Sequence, residues 1–376
     1  MIKRKLTEAI RKRLNGKKAL IVYGARQTGK TTLIKYILPE ISDNVLYLNG
    51  DDSDVRELFS SYSSTQLRAI IGKNDTVFID EAQRVKEIGV IIKIIVDNFP
   101  EIKVIATDSS SFELLSNISE PLTGRKYEFL LYPLSFGEMA EHHGLLDESR
   151  LLEHRLLYGY YPEIVTSIGE ERELLKLLAD SYLYKDLLKL ESIAKPALLE
   201  KIVKALALQV GSEVSFNEIS QLVGANNATV EKYITLLEQA FVIFQLPAFS
   251  RNVRNEIKKG KKIYFYDNGI RNAVINNFTP IESRADKGAL WENFLICERM
   301  KRNAYNGISA KTYFWRTTQH QEIDYIEEID GALYAYEFKY SETAKARLPL
   351  TFSKAYPDSS FRLINRQNYK DFLIQT

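Results

Sequence analysis

The eight residues GARQTGKT, from Gly24 to Thr31, restrict the fold more than any other part of this 376-residue chain. They follow the apolar run KALIVY and precede TTLIKYIL, so we expect a buried strand, a glycine-rich turn and a helix. Glycines let such a turn point its backbone N–H groups at phosphate oxygens, and the start of the helix adds a positive dipole. The segment therefore predicts a phosphate-binding loop in a parallel α/β sheet; a chance match in a glycine-containing loop is the alternative, which the strand before and the helix after disfavour.

The loop pattern predicts a contact with the nucleotide for each of its residues. Lys30 would reach the β- and γ-phosphates, and the Thr31 hydroxyl would coordinate Mg²⁺. Arg26 could also approach the γ-phosphate, although a structural role is the simpler expectation for it. The complete predicted nucleotide-binding set is Gly24, Ala25, Arg26, Gln27, Thr28, Gly29, Lys30, Thr31 and Thr32.

A second apolar run, TVFI, ends in the adjacent carboxylates Asp80 and Glu81. At the carboxyl end of a strand, Asp80 can hold Mg²⁺ through water, while Glu81 can orient and deprotonate the attacking water. Neighbouring side chains on a strand point in opposite directions, so we expect the two carboxylates to have separate tasks. The pattern predicts hydrolysis of ATP with Mg²⁺ as cofactor; an acidic strand end that caps the next helix is the alternative.

Two further groups are candidates for contact with the γ-phosphate. Thr107, Asp108 and Ser109 follow the predicted strand IKVIA, and ligands of open parallel sheets lie beyond the carboxyl ends of the strands. The alternative is that these residues form a serine-rich start of a helix, which would have the same sequence pattern. Arg125 precedes another apolar strand and could stabilise the transition state in its own chain or in a neighbour of a homo-oligomer. A surface ion pair is the usual alternative for such an arginine.

Composition indicates a globular chain with more than one domain. The length exceeds the roughly 300 residues at which single cores stop growing, and 45% of the residues are hydrophobic. Because 51 basic residues face 49 acidic ones, any nucleic-acid surface must come from local clustering. Cys297 is the single cysteine, which excludes an internal disulfide, and no apolar run reaches 18 residues. We therefore expect a cytoplasmic protein without a membrane partner.

The middle of the chain is predicted to be helical and to end in a winged helix-turn-helix. EVSFNEISQLVGANNATVEKYITLLEQAFVIFQLPAF indicates two helices around a Gly-Ala-Asn-Asn turn, followed by a β-prone run. The second helix carries one lysine against two glutamates, which argues against tight reading of a major groove. A helical unit that relays movement of the ATPase is an equal alternative. Contacts to DNA phosphates could come from Arg251, Arg254, Lys258, Lys259, Lys261 and Lys262.

The last third contains a second cluster of charged residues. Glu292 lies on a predicted helix, Asp324 in EIDYI, and Glu337 and Lys339 on the strand YEFKY, where a spacing of two places them on one side. Asp324 and Glu337 could bind a second divalent metal, with Lys339 positioning or deprotonating a water. Glu292 would add a contact. Alternating charges on an exposed strand give the same pattern without any chemistry. Weaker candidates for contact with a phosphate or metal water are Arg316 and Gln319.

GARQTGKTTL, IDEAQR, TDSSSFEL and LTGRKYEFLLYPLSFGE together resemble the bacterial and archaeal AAA-type ATPases that carry a C-terminal domain of unknown function. WENF, FWRT, EIDYI and EFK resemble motifs of that C-terminal domain, whose fold is similar to that of restriction endonucleases. The family has glycine where this chain has Asp108, which is a departure in the loop predicted to sense the γ-phosphate. The resemblance implies an ATPase core over about residues 1–160.

The sequence thus predicts three domains: an AAA-type P-loop ATPase at 1–160, a helical and winged-helix domain at 161–255, and a nuclease-like α/β domain at 256–376. The expected function is binding and hydrolysis of ATP, with metal-dependent cleavage or binding of DNA by the C-terminal domain. The alternative is a nucleotide-dependent switch that binds a protein partner differently in its ATP and ADP states, its nuclease-like domain being catalytically silent. A DNA-binding regulator without catalysis is a third hypothesis.

Overall fold

The computed structural model describes residues 2–109, 122–180, 195–250 and 260–374. Contacts within the chain divide it into two compact units, Met1–Pro133 with Gln239–Phe241, and Leu134–Glu238 with Val242–Thr376. Within the described ranges, no helix is both long enough and apolar enough to cross a membrane. The three predicted domains stay a prediction, although the boundary of the first unit falls earlier than residue 160.

The first unit is built on a five-stranded sheet in the order β2-β3-β4-β1-β5. Every neighbouring pair of strands is parallel. All five residues of the interior strand β3 are buried, as expected for a strand covered on both faces. These features confirm the predicted parallel α/β fold. The strands are β1 (Ala19–Tyr23), β2 (Val45–Asn49), β3 (Thr76–Asp80), β4 (Lys103–Asp108) and β5 (Lys126–Leu130).

The helices of the first unit bury aliphatic faces against this sheet. Leu67 and Ile71 of one helix and Ile91 and Ile95 of the next lie in one core with Ile79 of β3. Because all strands run in the same direction, the carboxyl ends of β1, β3 and β4 meet at one edge. The helices are α1 (Leu6–Arg11), α2 (Lys30–Ile41), α3 (Ser53–Leu58), α4 (Ser64–Ile71) and α5 (Ile88–Asn98).

The second unit begins with helices and a small antiparallel sheet, β6-β8-β7. Its order of helix, strand, two helices and two strands is the order expected of a winged helix-turn-helix, which stays a prediction. The strands are β6 (Glu213–Val214), β7 (Ile243–Pro247) and β8 (Lys261–Phe265), so β8 pairs with strands across the predicted boundary at 255. The helices are α6 (Phe136–His143), α7 (Leu145–Arg150), α8 (Leu152–Tyr158), α9 (Pro162–Thr166), α10 (Glu171–Ala179), α11 (Pro196–Leu208), α12 (Phe216–Val223), α13 (Asn227–Gln239) and α14 (Asn268–Val274).

A mixed four-stranded sheet in the order β12-β11-β10-β9 forms the rest of the second unit. Three strands are antiparallel and β12 is parallel to β11. One core of this sheet contains Ile323, Ile326, Ala335 and Phe352. Its likeness to a restriction endonuclease stays a prediction. The elements are α15 (Lys287–Tyr305), β9 (Lys311–Arg316), β10 (Glu322–Ile329), β11 (Ala332–Phe338), α16 (Leu350–Ala355), β12 (Ser360–Ile364) and α17 (Tyr369–Ile374).

Candidate functional site

The loop between β1 and α2 needs glycine at both of its ends. Gly24 has a φ of 148°, and a Cβ atom there would lie 2.2 Å from the carbonyl oxygen of Leu131. Gly29 has a φ of 90° immediately before α2. Side chains other than that of glycine are strained in this part of backbone space. The loop can therefore take its shape only with the two glycines that the sequence pattern requires.

Lys30 turns back into the loop that precedes it. Its Nζ donates to the carbonyl oxygens of Gly24 and Ala25, at 2.9 and 2.8 Å. Burial lowers the pKa of Lys30 to about 8, although the negative charges of Glu81 and Asp108 oppose this shift. The amine is thus held against the backbone of the loop that is predicted to bind the phosphates of a nucleotide.

Arg4 supports the phosphate loop and is a functional residue that the sequence reasoning missed. Its guanidinium is buried and donates to the carbonyl oxygens of Thr28 and Tyr132, at 2.7 and 2.6 Å. Arg4 lies 20 residues before the loop, in a basic stretch that otherwise looks like one end of a short surface helix. No local pattern distinguishes it from its neighbours Lys3 and Lys5.

Asp80, the last residue of β3, collects three hydroxyl donors. Its Oδ1 accepts hydrogen bonds from Thr31 Oγ1, at 2.9 Å, and from Thr107 Oγ1. Its Oδ2 accepts from the hydroxyl of Tyr47 at 3.1 Å, and burial together with the charge of Asp80 raises the pKa of Tyr47 to about 12. The hydroxyl of Thr31 and the carboxylate of Asp80 are the hard oxygen ligands that Mg²⁺ prefers. This donor set fits the predicted magnesium.

Glu81 has a separate set of partners. Its backbone is left-handed, with a φ of 48°, and its Oε2 accepts from Gln83 Nε2 at 2.6 Å and from Ser109 Oγ at 3.0 Å. Gln83 also donates to Ser109 at 2.7 Å, which closes a ring of three side chains. The backbone N–H of Glu81 donates to Thr107 Oγ1 at 3.2 Å. The carboxylate is thereby held at the same edge of the sheet as Asp80.

The strand end of β4 reaches the site as expected. Thr107 contacts Asp80 and Ser109 contacts Glu81, while Asp108 is fully buried and its charge acts on the pKa of Lys30. Sensing of the γ-phosphate by these residues stays a prediction. Of the remaining loop residues, Thr28 Oγ1 donates to Ala25 O at 2.8 Å, Arg26 is half-buried, and Gln27 and Thr32 are exposed.

Arg125 does not lie near this site in its own chain. Its backbone carbonyl accepts from the N–H of Ala19 at 2.9 Å, at the amino end of β1. Its Nε pairs with Asp97 at 2.6 Å on the surface. A strand of five residues spans about 13 Å, so Arg125 is at the opposite edge of the sheet from the phosphate loop. The prediction that Arg125 stabilises the transition state in its own chain is therefore wrong. Its action in the site of a neighbouring chain stays a prediction.

The four predicted residues of the C-terminal cluster lie together. Asp324 Oδ2 accepts from the N–H of Phe338 at 2.8 Å, and Lys339 Nζ pairs with Glu337 at 2.6 Å. Burial raises the pKa of Glu292 to about 7, and the nearby charge of Asp324 adds to this shift. Burial and Asp324 likewise raise the pKa of Glu337. The cluster is therefore crowded with carboxylates that are partly removed from water.

Lys262 of β8 is inserted into this cluster. The residue is 1% exposed, and its ammonium lies 3.1 Å from Glu292 and 2.6 Å from Glu322. The Tyr264 hydroxyl donates to Glu292 at 2.5 Å. Although burial alone would lower it, the pKa of Lys262 is raised by Glu292 and Glu322. The prediction that Lys262 contacts DNA phosphates is wrong, because its charge is used inside the protein.

Within the described part of the chain, no group of three or more His, Cys, Asp or Glu side chains has the arrangement to hold a metal ion. Binding of a second divalent metal by Asp324 and Glu337 stays a prediction. Arg316 lies 3.8 Å from Glu213 and 3.9 Å from Glu322, and Gln319 is exposed. Of the other predicted DNA contacts, Lys261 is half-buried, whereas Arg251, Arg254, Lys258 and Lys259 lie outside the described residues.

Comparison with known families adds independent support for the first site. Residues 16–140 match the family described as an AAA domain, and this range contains β1, the phosphate loop, Asp80 and Glu81. The chain contains an AAA-type P-loop ATPase domain. Behind the AAA domain, residues 149–280 and 287–373 match two families described as a Domain of unknown function (DUF8612) and a Domain of unknown function (DUF4143). The resemblance to AAA-type ATPases with a C-terminal domain of unknown function is confirmed.

Relatives that match most of this chain occur in bacteria and archaea. An uncharacterised protein of Mycobacterium tuberculosis is 25% identical over 89% of this chain and 73% of its own length. An uncharacterised protein of Methanocaldococcus jannaschii is 24% identical over 93% of this chain and 81% of its own. The Walker-type ATPase PABY2304 of Pyrococcus abyssi has a similar structure, with a TM-score of 0.50 and 15% identity over 73% of this chain and 96% of that one. This likeness supports the fold of the AAA domain.

Proposed function

We propose that the AAA domain hydrolyses ATP in a Mg²⁺-dependent reaction, with Lys30, Thr31, Asp80 and Glu81 as the acting residues. The observation that carries this proposal is the placement of Asp80 and Glu81 at one strand end with different partners. Asp80 accepts from Thr31, and Glu81 accepts from Gln83 and Ser109. One carboxylate is thus available to a metal beside the loop and the other to a water.

Each group has a defined task. Lys30 exchanges its bonds with the loop carbonyls for the β- and γ-phosphates, and Thr31 and Asp80 are the residues that would hold Mg²⁺. When bound, Mg²⁺ would neutralise charge that develops on the phosphates. Glu81 orients the attacking water and accepts its proton, and Gln83 and Ser109 keep the carboxylate in position. Because the Ser109 hydroxyl donates directly to Glu81, this hydrogen bond should change when the Glu81 carboxylate accepts a proton.

Two substitutions test this assignment with purified protein and ATP. Lys30→Ala is expected to abolish turnover and weaken binding of ATP, whereas Glu81→Gln is expected to bind ATP and reduce turnover by about 100-fold or more. Exposed Lys73→Ala and Glu101→Gln serve as matched controls and should behave like the parent protein. A Glu81→Gln variant with the parent turnover rate would exclude Glu81 as the general base.

We further propose, as a second function, a nucleotide-dependent switch whose C-terminal cluster is catalytically silent. The buried ammonium of Lys262, paired with Glu292 and Glu322, favours this proposal over metal-dependent cleavage of DNA. A metal ion would have to displace that internal cation. Whether ATP or ADP is bound would then determine whether the protein captures its protein partner.

Cleavage assays separate the two alternatives. Labelled single-stranded, duplex and branched DNA are incubated with Mg²⁺ or Mn²⁺, with and without ATP, beside the Lys339→Ala and Glu337→Ala variants. The switch predicts no cleavage and a difference in partner capture between ATP-bound Glu81→Gln protein and ADP-bound protein. Cleavage that disappears in both variants would instead support an ATP-coupled nuclease and contradict the silent cluster.

A further inference from the structure

The mixed sheet has a basic and aromatic groove on the face opposite the acidic cluster. Tyr334 and Tyr336 alternate with Glu337 along β11, so their side chains point away from the face that carries Glu337. On the parallel strand β12, Ser360 is paired with Tyr334 and Arg362 with Tyr336. The groove has a volume of about 470 Å³, within the range of small-ligand sites. Two tyrosines, a serine and an arginine thus form one continuous patch.

Helix α15 adds two more arginines to this groove. Arg299 is already paired with buried Glu327, at 2.8 Å, and donates to the carbonyl of Phe372. Arg302 also lines the groove, and burial together with the charge of Arg299 lowers its pKa. The charges of Arg299, Arg362 and Arg302 all act on the Tyr336 hydroxyl. The guanidinium groups are therefore near one another.

The internal carboxylates leave positive charge in the groove. Glu327 balances Arg299, and among the described residues Asp371 is the acidic residue that lines the groove. Arg362 is exposed, and within the described part of the chain no carboxylate forms an ion pair with it. Planar guanidinium groups bind phosphate oxygens through paired hydrogen bonds. Tyr334 is 37% exposed, which leaves an aromatic face available beside them.

We propose that this groove binds a nucleotide unit, with its phosphate on Arg362 and its base stacked on Tyr334. Stacking on tyrosine accepts any base, and arginine recognises the phosphate without reading sequence. The unit comes from a free nucleotide or from one position of a single strand. This site is distinct from the phosphate loop, and it requires neither a metal nor a reaction at the acidic cluster.

Binding is tested with fluorescein-labelled oligo(dT) by anisotropy, and with AMP as competitor, in full-length Lys30→Ala protein. That background removes the affinity of the phosphate loop, and the oligonucleotide measurement is repeated in the unsubstituted chain in case the variant folds poorly. Arg362→Glu is expected to weaken binding at least about tenfold, and Tyr334→Ala about fivefold or more. Arg362→Gln should reduce the slope of log affinity against log salt concentration by about the amount expected for one phosphate contact. Exposed Lys311→Glu, on β9 of the same sheet, is the matched control.

The competitor distinguishes the two sources of the nucleotide. If AMP displaces the oligonucleotide, and both lose affinity in Arg362→Glu, the groove binds a free nucleotide. If only the oligonucleotide loses affinity in Arg362→Glu, the groove binds a single strand. Oligonucleotide and AMP that do not bind, or that bind the Arg362→Glu, Tyr334→Ala and Lys311→Glu proteins equally, would overturn the proposal. Far-UV circular dichroism of each variant verifies that the protein is folded.

Discussion

At the scale of single residues, the nucleotide site depends on charges that are buried and oriented. Lys30 is 5% exposed and held by two carbonyl oxygens, and Arg4, also 5% exposed, is held by two others. Burial weakens the hydration of both cations, so hydrogen bonds have to replace it. The two residues differ in their response to pH, because a buried lysine can lose its proton in the ordinary pH range whereas an arginine stays protonated.

The affinity for ATP is expected to depend on the protonation of Lys30. Its pKa of about 8 lies below the usual value because of burial, and phosphates stabilise the charged form. Below pH 8 the ammonium is already present; above it, binding must take up a proton, and affinity should fall up to tenfold per pH unit. Titration calorimetry in buffers of different ionisation enthalpy measures this proton uptake. Lys30→Arg should bind without it, and an identical uptake in that variant would contradict the assignment.

The same shift has the opposite effect on folding of the free protein. Because the folded pKa of Lys30 is lower than the unfolded one, the unfolded chain binds more protons between about pH 8 and 10.5. The unfavourable contribution of the buried ammonium is therefore fully present below pH 8 and is lost as the pH rises through that interval. Nucleotide affinity and the stability of the free protein should change in opposite directions there.

Arg4→Ala is expected to destabilise the phosphate loop. The substitution leaves the carbonyls of Thr28 and Tyr132 without their charged donor, a loss of about 1–3 kcal/mol. The melting temperature should fall by several degrees, and ATP should bind more weakly because the loop is less well ordered. Lys3→Ala, at a neighbouring and exposed position, should change neither quantity. Equal melting temperatures and ATP affinities in the two variants would show that Arg4 does not support the loop.

At the scale of secondary structure, the first site depends on close approach between the phosphate loop and the end of β5. The N–H of Leu131 donates to the carbonyl of Tyr23 at 2.8 Å, which continues the pairing of β1 and β5. Gly24 follows at once, and Leu131 occupies the space where a Cβ atom would lie. The strand, the loop and the neighbouring strand end therefore form one unit that tolerates no side chain at this position.

Gly24→Ala is expected to distort the loop. The new methyl group would meet the Leu131 carbonyl at 2.2 Å, in addition to the strained φ of 148°. Gly124→Ala is the matched control, since its φ is also positive, at 77°, and no atom lies within 4 Å of the added Cβ. The control should lose about 1 kcal/mol of stability, whereas Gly24→Ala should lose more and also lose binding of ATP. Equilibrium binding of a fluorescent ATP analogue and thermal unfolding distinguish these outcomes.

At the scale of the whole molecule, the chain first passes from one compact unit to the other shortly after β5, and it returns briefly to the first unit at Gln239–Phe241. The segment Leu131–Pro133 contacts the phosphate loop through Gly24 and Arg4, and the second unit begins at Leu134. In the proposed switch, a change in the loop on binding ATP would reach the second unit through this segment. This connection is the physical basis on which the proposed switch would work.

The switch predicts that ATP changes hydrogen exchange in both units. In Glu81→Gln protein, ATP should slow amide hydrogen exchange in the phosphate loop and at the ends of β3 and β4. It should also alter the exchange of amides beyond Leu134. Lys30→Ala protein, which should not bind ATP, serves as the control and should show neither effect. Protection confined to the first unit would contradict the switch, although it would leave ATP binding intact.

The sequence by itself determined the parallel fold and the main residues of the first site. GARQTGKT, Asp80 and Glu81 are local patterns, and strand direction alone brings them to one edge of the sheet. The C-terminal carboxylates could also be placed on one side of a strand from their spacing. These parts were predictable because each depends on the chemistry and periodicity of neighbouring residues.

Only the tertiary structure decided which distant residues complete or neutralise the two sites. Arg4, Tyr47 and Gln83 reach the first site, and Lys262 enters the acidic cluster from a different sheet. Arg125, in contrast, lies at the wrong edge for its own chain. The reason is physical: whether a charged side chain is a surface group or a buried partner depends on what packs against it. That depends on contacts between residues far apart in the chain, which local patterns do not specify.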